Sequence, residues 1–114
     1  MPNHHDIEIR LSADGKDALP PAGELKMTIQ DTVRYFSNDG DITLEFQGDS
    51  PFRDKNGNKM TKITGPKKTG SPPLTLQSEG KFMCGCFITL PSGKRVGWDP
   101  KTNPGSGTVH DVGH

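Results

Sequence analysis

Hydrophobic side chains recur at every second residue along several short stretches of this chain, the period of a strand with one buried face. Between Asp6 and Leu11, Ile7, Ile9 and Leu11 fall on one side and Glu8 and Arg10 on the other. Leu25, Met27 and Ile29 repeat the pattern against Lys26, Thr28 and Gln30. Thr32–Phe36 is rich in β-branched and aromatic residues, which suit a pleated surface, and Ile42, Leu44 and Phe46 alternate again. Asn38-Asp39-Gly40 between these two stretches predicts a hairpin, because Asp-Gly suits the positive φ of a tight turn. Lys59–Thr64 reads as an edge strand whose lysines discourage unwanted pairing. Leu74 with Leu76, and then Lys94–Trp98, mark two more short strands. No segment carries a helical period over the roughly ten residues that a helix requires.

Gly80–Leu90, GKFMCGCFITL, is the most continuous apolar run and holds both cysteines. It is the predicted central strand. With Phe82 inward, Cys84, Cys86, Ile88 and Leu90 share its face, and Met83, Gly85 and Phe87 take the other. Both faces are apolar, so each is expected to be covered. Gly, Pro and polar residues fill Asp14–Glu24, Gln47–Asn58 and Gly65–Pro73, which read as loops. Residues 99–114 read as a loosely ordered tail in which only Thr108–Val112 could pair. The expectation is one all-β domain over residues 1–114: an antiparallel Greek-key β-sandwich of seven or eight short strands. An OB-type barrel is the alternative.

Composition narrows the functional classes. Only 22 of 114 residues are Leu, Ile, Val or Phe, so the core is thin, yet their patterning argues for a folded domain rather than disorder. Fourteen basic and fourteen acidic residues cancel, which removes the electrostatic case for nucleic acid. Lys67-Lys68, the densest basic spot, reads as a solvated loop. No apolar run approaches the ~20 residues of a membrane span. The N-terminus MPNHHDIEIR has no hydrophobic signal segment. A soluble chain is expected, cytoplasmic or exported with its leader absent from this sequence.

The plainest reading of Cys84 and Cys86 is a pair of small buried hydrophobes. Alternatively, two thiolates on one strand face could hold a soft ion such as Cu(I) or Zn(II), or one thiol could be reactive. A disulfide is disfavoured, because same-face neighbours on a strand sit near the ~6.8 Å upper limit for bridging. The histidines His4, His5, His110 and His114 lie at the two ends of the chain and read as incidental surface residues. If a metal site exists, Cys84 and Cys86 are its first candidates and His110 the next. Asp54-x-Asn56-Gly57-Asn58 has neither the glycine nor the glutamate spacing of a calcium loop and reads as a turn. Trp98 is expected to anchor the end of the sandwich.

Two segments, TVRYFSNDGDITLEFQGDSPF (Thr32–Phe52) and GKFMCGC (Gly80–Cys86), resemble the cupredoxin pattern. That pattern runs strand, polar turn, alternating strand ending in Phe, Ser-Pro-Phe-like loop, and later Gly-x-aromatic-x-x-x-Cys. The resemblance spans roughly residues 24–98 and implies a Greek-key sandwich. It places Cys86 at the copper-thiolate position, but the two histidine positions fall on Ile42 and Thr89, and no methionine follows Cys86. Blue-copper chemistry needs a His₂Cys set, so the resemblance implies the scaffold without the family's electron transfer. The expected function is a non-catalytic binding module with a protein partner, its loops Asp49–Phe52 and Gly65–Pro73 and the tail serving as contact surface. A soft-metal protein built on Cys84 and Cys86 is the alternative. No paired carboxylates or oriented Cys–His arrangement point to an enzyme.

Overall fold

Alternation at period two becomes strand in several short stretches of the chain. The computed structural model describes residues 3–15, 18–19, 24–98 and 108–113, and among them there is no helix. Eleven strands, more than the seven or eight expected, follow in order among the described residues: β1 (His4–Glu8), β2 (Arg10–Leu11), β3 (Ala18–Leu19), β4 (Leu25–Thr28), β5 (Thr32–Phe36), β6 (Asp41–Phe46), β7 (Lys62–Gly65), β8 (Leu74–Thr75), β9 (Gly80–Thr89), β10 (Arg95–Trp98) and β11 (Thr108–Gly113). The larger sheet has the order β4-β11-β9-β6-β7, with β10 also on β9; the smaller is β1-β5-β8; β2 and β3 form a two-stranded ribbon. The two main sheets pack as a sandwich around one hydrophobic core.

The cysteine-bearing run is the central strand of the larger sheet. Along one edge β9 pairs with β6 through residues 84–89. Along the other, β11 takes its first half and β10 its second. Phe82, Cys84, Cys86 and Ile88 are all buried, at 5%, 0%, 2% and 0% exposure. The opposite face is only partly covered: Met83 and Phe87 are half-buried there.

Several expectations are corrected. The sheets are mixed rather than antiparallel, since β1 runs parallel to β5 and β4 parallel to β11. Parallel neighbours need long crossovers, and each of these pairs is separated by several intervening elements. The predicted hairpin around Asn38–Gly40 is instead a crossing between sheets, with β5 in the smaller and β6 in the larger. Val33, Tyr35, Ile42, Leu44 and Phe46 all need the core, so the two strands face each other across it. Gly40 serves close approach, not a positive φ: a Cβ there would collide with the Thr89 carbonyl oxygen. The stretch Asp6–Leu11 splits at Ile9, whose amide donates to the Phe36 carbonyl at 2.8 Å, while Ile7 and Ile9 stay buried as expected. Of the expected tail, residues 108–113 are a strand inserted between β4 and β9. Residues 99–107 and 114 lie outside the described residues.

Candidate functional site

Inward alternation carries two polar side chains into the core from opposite sheets. On β5, Val33 and Tyr35 point inward; on β11, His110 and Val112 do. His110 is fully buried, a correction to its expected place on a frayed surface. The Tyr35 hydroxyl and His110 Nε2 share a hydrogen bond of 2.6 Å across the sandwich. Two phenylalanines complete the surroundings: Phe46 stands 5.2 Å from the imidazole, and Phe52 packs edge-on to Tyr35 at 6.2 Å. Phe52 arrives from a loop, not a strand. Its amide donates to Ser50 Oγ at 3.1 Å, and the Gln77 amide donates to the Pro51 carbonyl at 2.8 Å. Ser50, Pro51 and Phe52 are therefore interior, so this part of the expected contact loop is core, and only Asp49 of Asp49–Phe52 is exposed. Burial above all, with Cys84 and Cys86 nearby, pushes the Tyr35 hydroxyl well above its ordinary pKa, keeping it neutral.

The cysteines are free and buried. The neighbouring Cys86 thiol first, and burial second, raise the Cys84 pKa well above its ordinary value. A protonated, enclosed thiol is a poor nucleophile and must lose its proton to bind metal. Among the described residues no three His, Cys, Asp or Glu side chains are grouped to hold a metal ion; His110 turns its Nε2 to Tyr35. The two histidine positions of the cupredoxin pattern carry the wrong donors. Ile42 is buried on β6 with an aliphatic side chain, and Thr89 ends β9 with a hydroxyl. The residues present do not fit a blue-copper ion, and no chemistry passes through one.

His4 and His5 sit on β1. His4 bonds Thr32 and Asp6 at 2.8 and 2.9 Å. His5 Nε2 lies 2.8 Å from Asp31 Oδ2. The carboxylate of Asp31, a buried residue, also accepts from the amides of Asn3 and Thr28 at 2.8 and 3.1 Å. The His5 bond first, then the Asn3 amide, hold the Asp31 carboxyl below its usual range. This carboxylate ties the start of β1 to the β4–β5 turn. Asp31 carried no signal in the sequence beyond opening a turn.

The outer face of the larger sheet carries a different constellation. Phe87 on β9 pairs with Thr43 on β6 and Gly97 on β10. The Arg95 guanidinium lies 4.0 Å from the centre of the Phe87 ring, and Arg95 Nη2 donates to Glu45 Oε2 at 3.1 Å. Gly97 keeps the ring open to this side: its φ is +153°, and a Cβ would collide with the Cys86 carbonyl oxygen. Glu45, Phe87, Arg95 and Gly97 line an open depression of about 390 Å³. The alternation of β9 placed Phe87 outward, but Arg95 and Glu45 are 50 residues apart and nothing local links them. The side chain of Trp98 lies outside the described residues. No helix among the described residues is long and apolar enough to cross a membrane. Neither a protein-family model nor a curated protein matches this chain.

Proposed function

We propose that this protein is a non-catalytic β-sandwich module, cupredoxin-like in its Greek-key scaffold, that binds a protein partner through the outer face of its larger sheet. The observation that carries the proposal is the half-buried Phe87 with Arg95 stacked on its ring and Glu45 holding Arg95 in place. Aromatic and arginine side chains dominate interface energetics. Arg95 already has its orientation set, so less rotamer freedom is lost on contact. The interior polar groups, by contrast, bond one another and brace the core. Capture of partners from the native source by wild type, a Phe87→Ser/Arg95→Ala variant and a Lys94→Ala control tests this role. A partner held by wild type and control but released by the double variant supports it. Equal capture by all three contradicts it.

A second function rests on Cys84 and Cys86 sharing the buried face of β9: a site for a soft ion, Cu(I) or Zn(II), in which both thiols give up their protons and serve as ligands. Metal analysis of untagged protein, with Cys84→Ser and Cys86→Ser, checks it. Stoichiometric metal lost from both variants would put this function first, and metal-free wild type would remove it.

A further inference from the structure

The zero net charge hides a strong asymmetry. Residues 55–78 contain five lysines and no Asp or Glu, whereas eleven of the fourteen acidic residues precede Lys55. All five lysines (Lys55, Lys59, Lys62, Lys67 and Lys68) are exposed. Lys62 lies on β7, the last strand of the larger sheet, Lys59 leads into it, and Lys67 and Lys68 follow it in the chain. Lys59 lies 3.2 Å from Asp49, and Glu45, opposite Lys62 in the register, is already paired with Arg95.

The pairing parity shows which backbone groups β7 leaves outward. The Phe46 amide donates to the Thr61 carbonyl at 2.7 Å, so Phe46–Thr61 is a hydrogen-bonded pair of the antiparallel ladder. Leu44–Ile63 and Ile42–Gly65 then follow as hydrogen-bonded pairs, and Glu45–Lys62 and Thr43–Thr64 as the alternate type. The amides and carbonyls of Lys62 and Thr64 therefore point away from β6, to the open edge of the sheet. Both residues are exposed.

Resting on the binding role above, we propose that this edge receives an acidic protein segment as an added strand, the outward groups of Lys62 and Thr64 supplying the ladder and the lysines the charge selectivity. Strand addition derives its affinity from main-chain bonds and its specificity from side chains. The same lysines disfavour self-pairing, because a second copy docked edge to edge sets like charges together. A nucleic acid meets the charge but has no strand backbone to satisfy the edge.

The test uses the full chain and the synthetic peptide (Glu-Val)₅, with (Lys-Val)₅ and heparin as comparisons. The (Glu-Val)₅ peptide binds, slows hydrogen exchange at the Lys62 and Thr64 amides, and loses affinity steeply with salt. Thr64→Pro, which deletes one outward donor at an edge where proline is tolerated, weakens binding tenfold or more. Lys62→Glu/Lys68→Glu, on two exposed side chains, weakens it at least as much. Heparin binding as tightly as the peptide without protecting those amides would overturn the proposal, as would equal binding of (Lys-Val)₅ or a dimer joined through β7. If (Glu-Val)₅ fails to bind while a native partner still depends on Phe87 and Arg95, the added strand is excluded and the sheet-face role stands.

Discussion

Changing Tyr35 to Phe deletes one oxygen from the interior and leaves every ring contact in place. That oxygen bonds His110 on the opposite sheet, at 2.6 Å. A buried hydrogen bond is worth about 1 kcal/mol net, and stripping a partner from a buried polar group adds a cost of about 1–3 kcal/mol. Tyr35→Phe should therefore destabilise by about 2 kcal/mol. With an unfolding entropy of about 2.1 cal/mol/K per residue, that is a fall in Tm of about 8 °C for a chain of this length. His110→Leu should cost a similar amount, since it strands the tyrosine hydroxyl instead. The double variant replaces both partners by apolar groups, which can be close to neutral. It should be less destabilised than the two singles summed, by about 1–2 kcal/mol. Urea unfolding of the four proteins, followed by far-UV circular dichroism, measures the cycle. Additivity within about 0.5 kcal/mol would mean that the two side chains do not share a bond, and the bracing role of the pair would be wrong.

Other expectations follow from single sites. Phe52→Ala should cost about 3–5 kcal/mol, because this loop residue is fully buried against Tyr35 and Phe46; a loss under about 1 kcal/mol would place Phe52 at the surface instead. Gly40→Ala drives a methyl into the Thr89 carbonyl and should destabilise by about 2–3 kcal/mol, as thermal unfolding will show. The Asp31 carboxyl is held below its ordinary range, so its contribution to stability is complete above the unfolded value of about pH 3.9 and is lost as pH falls through the folded value. Asp31→Asn should be less stable than wild type at neutral pH and should converge with it in acid. Urea midpoints from pH 2 to 6 check this, and the variant controls for Asp6, Asp49 and Asp54, whose carboxyls are lowered too.

Legibility in the sequence tracked the range of the interactions involved. The interior face of β9 was readable from alternation alone, as were the inward residues of β1, β4 and β6, because period two is a local property. The Asn38–Gly40 segment misled because Asp-Gly is shared by hairpins and by other tight approaches; only Thr89, far along the chain, reveals which. The parallel pairings β1–β5 and β4–β11 depend on long crossovers and left no local trace. Within the site, Cys84 and Cys86 were readable as buried, but the Tyr35–His110 bond joins residues 75 apart. One signal did exist. His110 shares its alternation with Val112, and Tyr35 with Val33, so both polar groups were bound inward and each needed a partner. Phe52 had no periodic neighbour to mark it, and Arg95 and Glu45 meet only because β10 and β6 flank β9 together.

The central claim is that Cys84 and Cys86 are interior scaffold and that recognition belongs to the outside of the sheet. Native-state labelling of the thiols with a maleimide, compared with labelling in concentrated urea, tests it most directly. If the strand is locked inside the sandwich, labelling awaits global opening, and a domain of about 5 kcal/mol or more reacts about four orders of magnitude more slowly when folded. Thiols that react in native protein within tenfold of the unfolded rate would place these cysteines at an accessible surface and contradict the account.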